Sequence, residues 1–163
     1  METMRLRAEP LNSRHAKDIY RLASLEAVAR YMRFSRITNL AEACRLIEEY
    51  TAPGCHAFAL YEKEGGRFAG LFALKPAEQK KALGISVFFH PDCWGRGYAQ
   101  EVTGFFISYA RQKLAAHALL AWVVEENTAS RRVLEKLGFV VIQALQFDDL
   151  PSHLLVYQLF LGN

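Results

Sequence analysis

The sequence predicts a single mixed α/β domain, and three observations carry that expectation. Short apolar runs of strand length alternate with stretches whose apolar residues recur every three or four positions. Turn and capping residues fall between those runs, where elements must end. No repeat, low-complexity tract or Pro/Gly/Ser-rich linker divides the 163 residues, a length that suits one domain spanning 1–163.

Taken in order, Met4 to Leu11 reads as a first strand. Asn12-Ser13 then offers capping chemistry for a helix running to about Ala29. A second helix, Leu40 to Tyr50, opens on Asn39-Leu40-Ala41-Glu42, where a capping side chain and a Glu three residues on can satisfy each other's orphan amides. His56 to Glu62 and Arg67 to Lys75 read as two strands joined at Glu64-Gly65-Gly66, a hairpin signal. Leu83 to Phe89 is a further strand, ended by His90-Pro91. From Gly97 the period becomes helical, with Tyr98, Val102, Phe105, Phe106 and Tyr109 forming one apolar face through about Leu114. Leu119 to Val124 is a short buried strand. Asn127 to Leu137 is a helix with Asn at its start and Gly138 just past its end. Val140 to Phe147 and His153 to Phe160 close the chain as strands, so the order is β-α-α-β-β-β-α-β-α-β-β.

Composition narrows the function classes. Hydrophobic residues make up 52% and charged residues 23%, a globular balance. A net charge of +3, from 20 basic and 17 acidic residues, is too mild for nucleic-acid binding, and no dense Lys/Arg run exists. Cys44, Cys55 and Cys93 are scattered, odd in number and without metal-ligand spacing, which points to a reducing compartment and to no metal. Met1 to Pro10 lacks the apolar core of a signal peptide. The longest apolar run, Ala115 to Val124, is broken by His117 and falls well short of the ~20 residues a membrane span needs. A cytoplasmic protein is the expectation.

The segment Phe89-His90-Pro91-Asp92-Cys93-Trp94-Gly95-Arg96-Gly97-Tyr98-Ala99 reads as a strand, a turn and a helix start. Gly95 and Gly97 permit backbone conformations closed to other residues and remove side chains that would block a ligand. Amides of Gly95 to Ala99 at a helix N-terminus favour a pyrophosphate, and Arg96 offers a charge-assisted contact. By itself such a junction is equally a tight turn. It is neither a dinucleotide fingerprint, which needs a third spaced Gly, nor a P-loop, since no Gly-Lys-Ser/Thr follows.

The same segment resembles the acyl-CoA signature of the GNAT acetyltransferase superfamily, Gln/Arg-x-x-Gly-x-Gly/Ala, with Trp94, Gly97 and Ala99 at the matching positions. The run Trp94-Gly95-Arg96-Gly97-Tyr98-Ala99 with Glu101 is similar to the ribosomal-protein N-terminal acetyltransferase (Rim-type) subgroup. Asn127-x-x-Ser130, followed by Leu134-Glu135-Lys136-Leu137-Gly138-Phe139, resembles a second signature of that subgroup. The resemblance implies a central mixed β-sheet flanked by about four helices, with acetyl-CoA as co-substrate. It implies that the backbone of Gly95 to Ala99 holds the pyrophosphate and that the strand through Val87, Phe88 and Phe89 receives the pantetheine arm. Asn127 would contact the cofactor near its thioester.

Direct attack by an amine in a ternary complex is the chemistry this implies. An amide near Phe88 or Phe89 would stabilise the oxyanion. Two family positions differ here: Leu134 stands where many members carry an acidic Tyr, and Gly84 where the subgroup often has a Glu base. The acid then falls to Ser130, whose bland role is a helix serine, just as the bland role of Asn127 is a cap. Glu125 or Glu126 could take a proton through water, although either is more ordinarily a solvated strand end. Cys93 has no local His-and-acid partners and reads as an incidental thiol. The acceptor would be a peptide N-terminus or a small amine, with residues 31–50, including Arg30 just before them and Arg33, Arg36 and Arg45 within, near its cleft. The alternative is a non-catalytic acyl-CoA sensor on the same fold. No nucleic-acid or membrane partner is expected, and the chain would be a monomer or homodimer.

Overall fold

The structure is a computed structural model that describes residues 1–32, 36–147 and 152–162. The chain forms two compact units, residues 1–75 with 86–102 and residues 76–85 with 103–163.

In the first unit, β1 (Leu6–Pro10) pairs antiparallel with β2 (His56–Glu62), with Ala8 opposite Leu60. β2 pairs antiparallel with β3 (Phe68–Pro76), with His56 opposite Leu74 and an irregularity between Leu60 and Tyr61. The expected hairpin turn is present. Gly65 and Gly66 both take positive φ, 75° and 64°, and the Glu62 amide donates to the Arg67 carbonyl at 2.8 Å. Over the sheet lie α1 (Ala16–Ala23), α2 (Glu26–Ala29) and α3 (Leu40–Tyr50). On α3 the buried residues Ala43, Leu46, Ile47 and Tyr50 recur at helical spacing, and they join Ile19, Leu22, Leu71 and Phe88 in one core.

The single helix expected between Asn12 and Ala29 is instead a 3₁₀ turn at Ser13–His15 followed by two helices. Asn12 does cap the start, its Oδ1 accepting from the Arg14 amide at 3.1 Å, and His15 Nδ1 accepts from the Asn12 amide at 3.1 Å. The break falls at Ser24, whose hydroxyl donates to the Arg21 carbonyl at 3.3 Å, and at Leu25, which is extended at ψ 124°. Short side chains of this kind compete with the helix for its own carbonyls. Five helices therefore stand among the described residues where about four were expected. The α3 cap is also rearranged. Asn39 Oδ1 accepts from the Glu42 amide at 3.0 Å, but Glu42 reaches past the cap residue to the Thr38 amide at 2.6 Å.

In the second unit, the first residues of β4 (Ala82–Phe89) run parallel to β5 (Ala118–Val124), with Ala82 opposite Ala118. The crossover is α4 (Tyr98–Lys113), the helix a parallel connection requires. β7 (Leu154–Phe160) pairs antiparallel with β5 and also with the edge strand β6 (Val140–Leu145). α5 (Thr128–Lys136) ends before Gly138, whose φ of 87° is the left-handed stop the sequence suggested. Phe106, Ala110, Leu119, Leu134, Phe139, Leu154 and Tyr157 are buried here. The seven strands pair in the order β1-β2-β3-β4-β5-β7-β6.

Candidate functional site

The segment from Phe89 to Ala99 is a chain of small constraints that together expose backbone amides. Pro91–Cys93 forms one 3₁₀ turn, with Pro at a position where its missing N–H is not needed. His90 Nδ1 accepts from the Asp92 amide at 3.3 Å, and the Cys93 amide donates to the His90 carbonyl at 2.8 Å. Trp94 then turns back, its indole N–H donating to the Phe89 carbonyl at 2.9 Å. That bond ties the loop to the end of β4.

Gly95 and Gly97 take φ of 71° and 78°, the left-handed region that favours glycine. A Cβ built on Gly95 would meet nothing within 4 Å, so backbone conformation and not crowding selects glycine there, and the surface beside it is open. The first hydrogen bond of α4 runs from the Glu101 amide to the Gly97 carbonyl at 3.1 Å. The amides of Gly97, Tyr98, Ala99 and Gln100 are thus left without intrahelical acceptors. Gly97, standing in the cap position, has no side chain to satisfy them. Donors of this kind at the positive end of a 16-residue helix suit the pyrophosphate of a coenzyme.

Behind the loop, β2 ends on a buried carboxylate. Glu62 accepts from Arg67 Nε at 2.8 Å, from the Tyr98 hydroxyl at 2.7 Å, and from Arg96 Nη1. The Arg67 and Tyr98 hydrogen bonds hold the Glu62 carboxyl down at about 2. Burial, then the neighbouring carboxylate, pushes the Tyr98 phenol up, so it stays a donor. Two guanidinium groups, Arg5 and Arg96, lie over the Tyr98 ring, each 4.7 Å from its centroid. Arg5 also donates from Nη1 to the Arg96 carbonyl at 2.8 Å and from Nε to Glu101 at 2.7 Å. A cleft of about 430 Å³ opens between Arg5, Glu62, Lys63, Arg96 and Tyr98. The Arg96 guanidinium, expected from the sequence as a charge-assisted pyrophosphate contact, pairs with the buried Glu62 carboxylate and stays part-exposed.

Val87 is half-buried, while Phe88 and Phe89 are buried at the end of β4. Gly70 on β3 permits that approach: a Cβ there would fall 2.3 Å from the Phe88 carbonyl oxygen. Cys93 is buried, Arg67 Nη2 donates to its sulfur at 3.6 Å, and burial pushes its thiol up. This is an inert thiol.

The remaining expected residues belong to the second unit. Asn127 caps α5, its Oδ1 accepting from the Ser130 amide at 3.2 Å, and Ser130 is half-buried. Glu126 is exposed and accepts from the Ser152 hydroxyl, while Glu125 pairs with His153 at 3.2 Å. Tyr157 is buried, donates to Glu135 at 2.9 Å and accepts from Arg131 Nε at 3.1 Å, a network that seats α5 on β7. Among the residues near the expected acceptor region, Arg33 lies outside the described residues, Arg36 pairs with Glu26 at 3.6 Å and Arg45 with Glu42 at 4.0 Å. Sequence reasoning missed Glu62 and Arg5. The available signal was alternation, since Glu62 occupies the same face of β2 as Leu60, a buried position where a charge needs partners.

Comparison with known proteins gives the family and the fold. Residues 5–140 match the model of the acetyltransferase (GNAT) domain. The chain is 28% identical over 153 residues to the uncharacterised N-acetyltransferase YoaA of Bacillus subtilis (strain 168), covering 85% of this chain and 81% of that protein. Among solved structures, RimL, a ribosomal L7/L12 α-N-protein acetyltransferase in complex with coenzyme A, superimposes with a TM-score of 0.86 at 12% identity, covering 97% of this chain and 95% of that one. Spermidine N-acetyltransferase from Vibrio cholerae, in complex with CoA and spermine, superimposes with a TM-score of 0.81 at 18% identity, covering 94% and 93%. At such identities the structural likenesses speak for the fold.

Proposed function

The chain belongs to the GNAT acetyltransferase family, and we propose that it transfers the acetyl group of acetyl-CoA to a primary amine, either a peptide N-terminus or a small-molecule amine. One observation carries the reading. Beyond β4 and its 3₁₀ turn, two left-handed glycines lead into a long helix whose first amides have no intrahelical acceptor, and the space beside Gly95 is open. The two structural relatives named above act on a protein N-terminus and on spermidine, and both kinds of acceptor present a primary amine.

In this reading the amides from Gly95 to Ala99 bind the pyrophosphate and fix the thioester in place. An amide near Phe88 or Phe89 donates to the carbonyl oxygen as negative charge develops there. The neutral amine attacks directly: a C–N bond forms and the C–S bond breaks. The Ser130 hydroxyl passes a proton to the departing thiolate and takes one back from water, while Glu126 receives the amine's proton through water and releases it to solvent. Asn127 positions the thioester end while it caps its helix. All of this is the work of one acetyltransferase domain. Three free cysteines fit a cytoplasmic setting, and no helix among the described residues is long and apolar enough to cross a membrane.

The test is incubation with acetyl-CoA and a panel of N-terminal peptides, amino acids, polyamines and aminoglycosides, read by mass spectrometry. A product formed by the wild type and absent with Gly97→Glu establishes the activity and names the acceptor class. Gly97→Glu places a carboxylate where the pyrophosphate sits, so acetyl-CoA binding should vanish in calorimetry; unchanged affinity would remove the loop from the site. Tight binding of acetyl-CoA without turnover of any amine favours the sensor reading, which Leu134 and Gly84 at the family's usual acid and base positions keep open.

A further inference from the structure

We propose that Glu62 is a positioning residue for the phosphate loop, pinning Arg96 from the side-chain end while Arg5 pins it from the carbonyl end. The inference rests on the acetyl-CoA reading above and adds to it a determinant outside both sequence signatures. Arg96 is the one residue between two left-handed glycines, so its own backbone has freely rotating neighbours on either side. Its guanidinium is held by Glu62, and its carbonyl accepts from Arg5 Nη1 at 2.8 Å. Glu62 also accepts from the hydroxyl of Tyr98, the first residue of α4, at 2.7 Å. Arg67 Nε, at 2.8 Å, fixes the carboxylate itself. Two points of the loop are thus tied to one buried group on β2.

Arg5 is set in turn by Glu101, one helical turn into α4, which accepts from its backbone amide and its Nε, each at 2.7 Å. Thr3 donates to the same carboxylate at 2.5 Å. The loop is therefore braced at Arg96 and at Tyr98 before any ligand arrives. Preorganisation of this kind raises affinity by removing the ordering cost from the binding step. The single charge of Glu62 stands against two guanidinium groups, Arg67 and Arg96, which offset its repulsion of an anion.

The experiment is a double-mutant cycle on acetyl-CoA affinity, measured by calorimetry on Glu62→Ala, Glu62→Gln, Arg96→Ala and the Glu62→Ala/Arg96→Ala pair, with a melting curve for each. Glu62→Ala should raise Kd about tenfold or more, and Glu62→Gln, which still accepts from Tyr98, should recover part of that loss. In the Arg96→Ala background the same Glu62→Ala change should raise Kd by clearly less than it does in the wild type, because only the Tyr98 tie is left for it to break. A general folding defect lowers the melting temperature but produces no such coupling. If Glu62→Ala does not fold, Glu62→Gln and Tyr98→Phe carry the cycle. Unchanged Kd in the folded variants, or equal effects in both backgrounds, overturns the proposal and leaves the acetyl-CoA reading standing. A wild type that does not bind acetyl-CoA overturns that reading first, and the positioning role with it.

Discussion

Three residues show how much a single position can carry. Gly70 has no left-handed φ to justify it; it is glycine because a Cβ would lie 2.3 Å from the Phe88 carbonyl oxygen and 2.9 Å from the Phe89 Cα, both backbone atoms that cannot step aside. Gly70→Ala should therefore destabilise the protein by roughly 2–3 kcal/mol, measured by urea unfolding. Gly95 is the opposite case, selected by a φ of 71° with open space around it. Glu62 carries a pH signature. Its hydrogen bonds to Arg67 and Tyr98 hold it at about 2, below the ordinary 4.5, so the unfolded chain binds its proton first as acid is added. Its contribution to stability is complete above about pH 5 and is lost as pH falls toward 2. The urea midpoints of wild type and Glu62→Gln should therefore stand apart at neutral pH and converge across that interval. A gap that stays constant down to pH 2 would mean that Glu62 does not stabilise the fold through its charge.

At the scale of elements, the sequence was most legible where one local rule governs. Two short strand-like runs and the Gly65-Gly66 turn placed the β2–β3 hairpin, and the Asn39 capping signal placed the start of α3, whose bounds are Leu40 and Tyr50 as expected. Legibility failed where side chains compete with the backbone. Ser24 bonds the Arg21 carbonyl and Leu25 turns extended, so a stretch with helical periodicity becomes two helices without any Gly or Pro to announce the break. It failed again across distance: Glu62 and Arg96 are 34 positions apart, and only the hairpin's return brings β2 to the loop. The start of α5 is the place where a bland role and a functional one can be separated. Asn127 accepts from the Ser130 amide at 3.2 Å, so Asn127→Ala should cost about 1 kcal/mol in thermal unfolding from the lost cap alone. Asn127→Ser, which can still cap, should restore that stability. If turnover stays low in Asn127→Ser while stability returns, the residue does more than cap. If both return together, capping is its whole contribution. Ser130→Ala tests the neighbouring role, and it should slow turnover more than it weakens acetyl-CoA binding.

For the whole molecule, ligand binding and stability are one equilibrium. A ligand that binds only the folded chain stabilises it by mass action, by about 2.7 kcal/mol at a hundredfold excess over Kd. For a chain of this size that corresponds to a rise in Tm of roughly 5–10 °C. The amides that would hold the pyrophosphate exist as an array only when β4 ends, Trp94 turns back to Phe89, and α4 begins at Tyr98. None of these features survives in the unfolded chain, so acetyl-CoA should raise Tm by that amount and the rise should grow with the logarithm of its concentration. CoA without its acetyl group should give most of the same shift, because the pyrophosphate contacts are common to both. Gly97→Glu should melt in a single transition and show no shift with either ligand. The comparison separates two ways in which the site could be misplaced. A wild-type shift that survives in Gly97→Glu puts the coenzyme elsewhere on the fold, whereas no wild-type shift at all means that the exposed helix amides take another anion.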